Sequence, residues 1–342
     1  MRPMLNPNNH ARYLLVGMLL LAVFIFALNS GAVKISFQQL MDIIGFPLFH
    51  RGNFSAEQFS VVWFLRLPRL LAIALVGAGL GISGAVMQGL LRNPLADPGL
   101  LGLSSGASLA IILVWLIGGP LVQLWQWLTP LLAMVGSLAV FSFLYISAKW
   151  TKQNSMGGLI LIGLACNALF SACIALLLYV GPANFLQNAV LWSFGGVSSM
   201  SWTLLASGAL LSLGGGVLLF SQASALNLMA LGEEDAMQLG LNLARFKAIC
   251  ILGVSMIVAA AVALAGPIAF VGLMVPHIMR RIFGSNHQHL LSYSGFGGAI
   301  LLLLADRFCQ SFSQSEILPL GIVTALMGAL FFIWLLFYYR NS

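Results

Sequence analysis

The sequence predicts an all-α, polytopic membrane protein with about ten transmembrane helices. Hydrophobic residues fill 60% of the 342 positions, charged residues fill only 7%, and the mean hydropathy is +1.00. Soluble domains of ordinary composition are much less apolar. Apolar runs of about 20 residues, the length of a helix that crosses a bilayer, recur along the chain. Residues 1–342 are therefore expected to form a single transmembrane domain.

Charged and turn residues bound the apolar runs and place the predicted spans. The ten spans lie near residues 12–30, 68–90, 101–118, 129–148, 157–180, 200–220, 243–265, 268–282, 290–306 and 318–338. The third span and the short eighth span have the weakest patterns. An even number of spans places both termini on the same side of the membrane.

The basic residues favour an orientation with both termini in the cytoplasm. In that orientation ten of the 15 Lys and Arg residues lie inside, as the positive-inside rule requires. The inside set is Arg2, Arg12, Arg92, Lys149, Lys152, Arg245, Lys247, Arg280, Arg281 and Arg340, and the outside set is Lys34, Arg51, Arg66, Arg69 and Arg307.

The second predicted span carries a stripe of small residues. Gly77, Gly81, Ala85 and Gly89 recur every four residues, which lets helix backbones approach closely in lipid. This spacing predicts a centrally packed helix. A substrate path along the stripe is the alternative interpretation.

The stretch 91–108, LRNPLADPGLLGLSSGAS, is longer and more polar than a simple turn between spans. Pro94 and Pro98 prevent the second helix from continuing. Bent backbone at membrane depth is tolerable where it lies within protein or faces a water-filled path. A structural elbow and a gate are both compatible with this pattern.

The predicted cytoplasmic loop, residues 222–242, combines acidic and apolar residues. Glu233, Glu234 and Asp235 are three of the eight acidic residues in the chain. Leucines and methionines flank them at helical spacing, and Gly232 and Gly240 interrupt the pattern, which predicts two short helices. A solvated loop does not require such apolar residues, so the pattern favours a docking surface for a cytoplasmic partner.

The sequence lacks the motifs that several other classes of protein function require. The chain has no GxxxxGK[ST] phosphate-binding loop and no HExxH motif, and its four cysteines have no metal-ligand spacing. The basic residues form no dense stripe for nucleic acid. No charged residue lies near the middle of a predicted span, which argues against an ion-coupled secondary transporter. A membrane enzyme would need a convergent reactive set that the sequence does not show.

Four collinear blocks carry a resemblance to a known family. They are FLRLPRLLA at 64–72, the elbow at 91–108, GPIAFVGLMVPHIMRRIFG at 266–284 and LPLGIVTALMGALFFIWLL at 318–336. With about ten spans, the chain resembles the FecCD-type (BtuC-like) permeases of type II ABC importers for ferric siderophores, haem and cobalamin.

The resemblance implies a transport subunit that is not itself an enzyme. It implies a second permease subunit, identical or paralogous, two cytoplasmic ATPase subunits that use ATP and Mg, and an external substrate-binding protein. It implies no cofactor in this chain, and a place in the bacterial cytoplasmic membrane. By the resemblance, the cargo is an iron chelate, first of all a ferric siderophore. Haem is the second candidate cargo and cobalamin the third.

The resemblance also implies roles for individual residues. Coupling to the ATPase is expected from Met229, Leu231, Gly232, Glu233, Glu234, Leu239 and Gly240. A cytoplasmic gate is expected from Asn93 and Leu95, opposed by Ser155 and Met156. A translocation path is expected from Asn167, Ser171, Tyr179, Phe185, Gln187, Trp192 and Thr324.

Docking of the binding protein is expected at Arg66, with Arg69 and Arg307 as further candidates. Interfacial anchoring of Arg66 and Arg69 by snorkelling is the alternative. Many relatives have a further arginine where this chain has Gln310. Arg307, next to Asp306, is the candidate replacement. His287 and His289 are expected at the surface.

Overall fold

The computed structural model describes residues 7–31, 33–49, 52–118, 126–150, 156–197, 200–312 and 318–340. Within these ranges the chain forms fifteen α-helices. They are α1 (Pro7–Asn29), α2 (Phe37–Phe49), α3 (Ala56–Ser60), α4 (Leu67–Leu90), α5 (Leu103–Gly118), α6 (Thr129–Trp150), α7 (Met156–Val180), α8 (Ala183–Ser193), α9 (Trp202–Ser221), α10 (Ala223–Met229), α11 (Glu233–Gln238), α12 (Leu243–Ala265), α13 (Val271–Phe283), α14 (His287–Phe312) and α15 (Leu320–Arg340).

Among the residues that the structure describes, seven stretches are long and apolar enough to cross a membrane. They are His10–Asn29, Ala56–Leu90, Gln126–Leu144, Leu161–Val180, Trp202–Ser221, Leu243–Ala265 and His287–Phe312. Two shorter apolar helices, Leu103–Gly118 and Leu320–Leu335, accompany them, and α13 has only 13 residues. Each of the ten predicted spans coincides with a helix, while a count of ten crossings stays a prediction.

The second span begins earlier than predicted. A π-helical segment, Val61–Arg66, joins α3 to α4, so the helix runs without interruption from Ala56 to Leu90. Pro68 has no N–H, which removes one regular helical bond near this junction. The N–H of Leu67 instead donates to the carbonyl of Val62, five residues back. The proline therefore alters the helix locally without ending it.

Helices α4 and α12 form the centre of the bundle. Buried residues make up 72% of the apolar window in each, compared with 11% in α7. An added Cβ at Gly77 would meet the carbonyl of Gly298, and one at Gly81 would meet that of Ser294, because α4 and α14 lie nearly backbone to backbone. The predicted central packing of this glycine-rich helix is confirmed.

The bundle has two ends, which we name by their short helices. At the α10–α11 face, the end of α4 meets α10 and the start of α14, where His287 packs against Gly89. At the α2–α3 face, Arg66 reaches Leu28 at the end of α1. His287 is only 5% exposed, so its expected surface position is wrong. Helix packing at the start of α14 covers its ring.

Candidate functional site

A cavity of about 480 Å³ lies between α5, α7, α8, α13 and α15. Its wall is mostly apolar and includes Ile112, Ile174 and Phe270, whereas Ser104, Ser108 and Asn167 supply polar groups. Two non-helical stretches also line it, namely part of the elbow and residues 267–270 between α12 and α13. The bent backbone thus faces an open space, the setting in which such backbone is tolerated at membrane depth.

The non-helical part of the elbow, residues 91–102, is shaped by side chains that bond nearby backbone. The Oδ1 atom of Asn93 accepts the N–H of Leu95 at 2.9 Å, and Arg92 adopts a left-handed backbone angle, φ 47°. Leu95 is 49% exposed at the end of this turn. A gate at Asn93 and Leu95 stays a proposal. Ser155 and the side chain of Met156 lie outside the described residues.

Asp97 is a buried carboxylate at the cavity wall. Its Oδ1 atom accepts the N–H groups of Gly99 at 2.7 Å and Leu100 at 3.3 Å, and it is 6% exposed. Burial raises the pKa of this carboxyl to about 6, and the two backbone bonds oppose the shift. The sequence analysis noted Asp97 only as a charge near a span end. Its position before Pro98 and Gly99, as in a turn cap, was the available signal.

Asp97 predicts a specific pH dependence of stability. Its pKa is raised above the unfolded value of about 3.9, so the folded chain binds this proton more tightly. The contribution of Asp97 to the free energy of unfolding should therefore fall as the pH rises from about 4 to about 6. Above that range it should stay constant. Asp97→Asn keeps the Oδ1 acceptor and should remove this decline.

Chemical denaturation of the purified chain in detergent between pH 4 and pH 8 measures the effect. Asp42→Asn is the matched control. Like Asp97, Asp42 accepts a backbone N–H, that of Asn53, but Asp42 lies in α2 and not in the elbow. The decline between about pH 4 and pH 6 should persist in this control, because Asp97 is unchanged. Identical profiles for the parent and Asp97→Asn would contradict the assignment of the titration to Asp97.

The structure separates the predicted path residues into three groups. Asn167, Ser171 and Trp192 line the cavity. Thr324 is buried beside it and donates its hydroxyl to the carbonyl of Gly321. The remaining three, Tyr179, Phe185 and Gln187, lie at the end of α7 and in α8 and do not line the cavity, and Tyr179 is 88% exposed.

The three predicted docking arginines face internal acceptors. Arg66 donates to the carbonyls of Leu28 and Val33, at 3.0 and 2.6 Å. Arg69 forms a 2.7 Å ion pair with Asp306, and the two side chains are 15% and 2% exposed. These contacts tie the segment after α1 and helix α14 to the start of α4.

Arg307 shares the Asp306 carboxylate with Arg69 and also bonds the backbone after α1. It donates to the carbonyl of Ser30 at 2.9 Å and lies 3.4 Å from the Asp306 carboxylate. Gln310 donates to Asp306 at 2.7 Å. In this chain the cluster holds the α2–α3 face together, so its docking role stays a proposal.

The predicted pair of short helices in the loop is confirmed as α10 and α11. Gly232, with φ 131°, separates them, and Gly240, with φ 89°, follows α11. We name the exposed residues of this region the coupling patch: Leu231, Glu233, Glu234, Asp235, Met237 and Leu239. Lys247 pairs with Glu233 at 2.8 Å beside it.

One predicted coupling residue is placed elsewhere. Met229 is fully buried and packs in the core with Leu226, so it cannot act as an exposed docking anchor. In α10 the residues at 223, 226 and 229 form the buried face at helical spacing. The apolar periodicity of the loop identified a helix with a buried face, but not which residues that face contains.

The chain is similar to permeases of known systems. It is 37% identical to the hemin transport system permease protein HmuU of Yersinia pestis over 336 residues, which covers 96% of this chain and 97% of HmuU. It is 39% identical to the vitamin B12 import system permease protein BtuC of Serratia proteamaculans over 330 residues, 95% of this chain and 92% of that protein.

The fold is similar to that of a solved transporter. The match is an ABC transporter described as metal-chelate type, in an inward-facing conformation, with a TM-score of 0.82 and 30% identity. It covers 96% of this chain and 99% of that one. Residues 19–338 match the FecCD transport family. The chain therefore belongs to the FecCD transport family and is a permease subunit of an ABC importer, with ATP hydrolysis assigned to separate subunits.

Proposed function

We propose that this permease moves a metal chelate through the membrane, with haem as the first candidate cargo. The observation that carries the choice is the match to a hemin permease over 336 residues, which is the longer of the two matches, while the identity to the vitamin B12 permease is 39% and that to the hemin permease is 37%. The second relative is named for vitamin B12, which also holds a metal in a large macrocycle. Ferric siderophore, placed first by the family resemblance, has no such support and becomes the alternative.

The cavity fits the handling of a large, partly apolar cargo. Ile112, Ile174 and Trp192 offer apolar surface, and the serines of α5 offer a few hydrogen bonds. Such a mixture binds a chelate without holding it tightly, since specificity can reside in the binding protein. Among the predicted path residues, this proposal assigns contact with the cargo first to Asn167, Ser171 and Trp192.

A second permease subunit would cover the helices beside the cavity. In α7 only 11% of the apolar window is buried within this chain. In α15, Leu326, Leu330, Ile333 and Trp334 are each at least half exposed. A pair of subunits that meets along α7 and α15 would enclose the path between them. The subunit composition of the purified complex decides whether the second permease subunit is an identical chain or a paralogue.

The coupling patch is the docking site for the ATPase subunit. Leu231, Met237 and Leu239 are between 50% and 62% exposed, and three carboxylates adjoin them. Apolar anchors can transmit a rigid-body motion, while the carboxylates select partner and register more than they add affinity. This role places the α10–α11 face in the cytoplasm of a bacterial cell, with both termini inside.

Reconstitution in proteoliposomes tests the function. With the candidate ATPase and binding protein present, haem should enter the vesicles only when ATP is supplied. If the vesicles take up a ferric siderophore or cobalamin but not haem, the proposed cargo is wrong and the importer function stands. Uptake driven by an ion gradient without the ATPase would overturn the importer function itself.

The same preparation tests the coupling patch. The double variant Leu231→Ser, Leu239→Ser should lower the amount of co-purified ATPase at least tenfold and abolish uptake, because two exposed anchors are removed. Leu65→Ser, with 62% exposure on the α2–α3 face, is the matched control and should retain the ATPase. Undiminished co-purification of the double variant would contradict docking at this patch.

A further inference from the structure

Helix α13 contains a proline that leaves one backbone carbonyl without its helical donor. Pro276 lies inside α13, and proline has no N–H. In a regular helix that N–H would donate to the carbonyl of Gly272, four residues earlier. Gly272 is buried, and an unpaired buried carbonyl costs free energy comparable to a lost hydrogen bond. The carbonyl therefore needs a donor from another element.

The side-chain amide of Gln88 in α4 reaches that carbonyl and bonds the next one, that of Leu273, more closely. Its Nε2 atom lies 3.2 Å from the carbonyl oxygen of Leu273 and 3.5 Å from that of Gly272. The side chain is only 3% exposed. Gly84, one turn earlier in α4, makes this approach possible, since any Cβ there would overlap the carbonyl of Gly272.

Arg280 contacts the oxygen of the same Gln88 carboxamide. Its Nη1 atom donates to Oε1 of Gln88 at 2.9 Å. Two carbonyls on one side require a donor and an arginine on the other requires an acceptor, so only one orientation of the amide satisfies all three. Gln88 thus bonds α13 both before Pro276, at Gly272 and Leu273, and after it, at Arg280.

The braced segment borders the cavity. Leu273 lines the cavity, as do residues 267–270 immediately before α13. A Cβ at Gly272 would lie 2.7 Å from Oδ2 of Asp97, so this backbone also contacts the elbow. Beyond the proline, the ring of His277 meets that of Phe331 in α15, with centroids 5.7 Å apart. A change of bend at Pro276 would move the cavity wall relative to α15.

We infer that Gln88 is a positioning residue that braces α13 across its proline break and thereby fixes the cavity wall for transport. The structural part of this inference stands without the proposed cargo, whereas its consequence for uptake rests on the proposed function. The brace has two halves. The donor half replaces the N–H that proline lacks, and the acceptor half holds Arg280.

A double-mutant cycle with Pro276 tests the donor half. Gln88→Met keeps the length of the side chain and removes both polar groups. Pro276→Ala restores an N–H that can reach the carbonyl of Gly272, so the donor of Gln88 becomes redundant. We expect Gln88→Met to lower the midpoint of chemical denaturation in detergent, and to lower it less in the Pro276→Ala background, where only the acceptor of Arg280 is lost.

Gln88→Glu separates the two halves of the brace. Glutamate still accepts from Arg280 but places a carboxylate against two carbonyls, so it should destabilise the parent at least as much as methionine. Equal shifts in the two backgrounds for both variants would overturn the inference. If Gln88→Met fails to accumulate in membranes, the amount of the double variant Gln88→Met, Pro276→Ala decides instead. Accumulation of that double variant supports the brace. If the single and the double variant are lost to the same extent, the brace is overturned.

Uptake per ATP hydrolysed supplies the functional readout. For folded Gln88→Met in the complete transporter, we expect this ratio to fall at least fivefold while the ATPase remains bound. An unchanged ratio would overturn the transport role. Denaturation of the chain alone depends on neither cargo nor ATPase. Absence of haem uptake in the parent would therefore count against the proposed function, while the cycle still decides whether the brace exists.

Discussion

Replacing Asp306 with alanine is expected to lower the free energy of unfolding by about 3 to 5 kcal/mol, the cost of breaking a buried ion pair by removing one partner. Asp306 is 2% exposed and accepts from Arg69, Arg307 and Gln310. Its loss leaves two guanidinium groups, 15% and 13% exposed, without their carboxylate. Uncompensated charge in this setting is what makes the change severe.

Chemical denaturation in detergent measures this effect. Asp306→Asn retains one acceptor oxygen and should lie between the parent and alanine. Glu233→Gln is the control, because the exposed Glu233–Lys247 pair should contribute no more than about 1 kcal/mol. If Asp306→Ala unfolds at the same denaturant concentration as the parent, the two arginines have found other acceptors and the cluster does not stabilise this face.

Replacing Gly84 with alanine is expected to destabilise the bundle by about 1 to 3 kcal/mol or more, as overpacking of a close contact does. The new Cβ would overlap the carbonyl of Gly272. Helices α4 and α13 must separate to admit it, which also pulls Gln88 away from its two carbonyl acceptors. Uptake should therefore fall together with stability.

Gly216→Ala in α9 is the matched control for this substitution. An added Cβ at Gly216 meets nothing within 4 Å. There the better helix propensity of alanine, by about 0.8 to 1.0 kcal/mol, should leave stability equal or higher. The same chemical change then has opposite signs at two positions. A loss of stability at both positions would show that backbone approach at Gly84 is not the cause.

Helix positions followed closely from local sequence. The predicted span 243–265 coincides with α12, and most of the other predicted ends lie within a few residues of a helix end. Apolar length, proline and glycine act within a few neighbouring residues, so a window of sequence contains the information. The exception at Ala56 has the same kind of cause, since Pro68 produced a π-helical segment where a helix start was expected.

The roles of polar residues were less accessible to sequence. Gln88 gave no signal, because a glutamine near the end of an apolar span is unremarkable until its partners are known. Met229 and Leu231 look alike in the loop, yet one is fully buried and the other 62% exposed. Which side of a short helix faces the core depends on how α10 lies against α14 and α4.

The sequence by itself determined that this chain belongs in a bilayer, where its helices lie, and which family it resembles. Those properties arise from hydropathy and from motifs of adjacent residues. Tertiary structure alone decided that Gln88 bonds Leu273, 185 positions away, and that Arg69 pairs with Asp306, 237 positions away. Such pairs depend on the rotation and separation of packed helices, because buried polar groups must find partners wherever the packing places them.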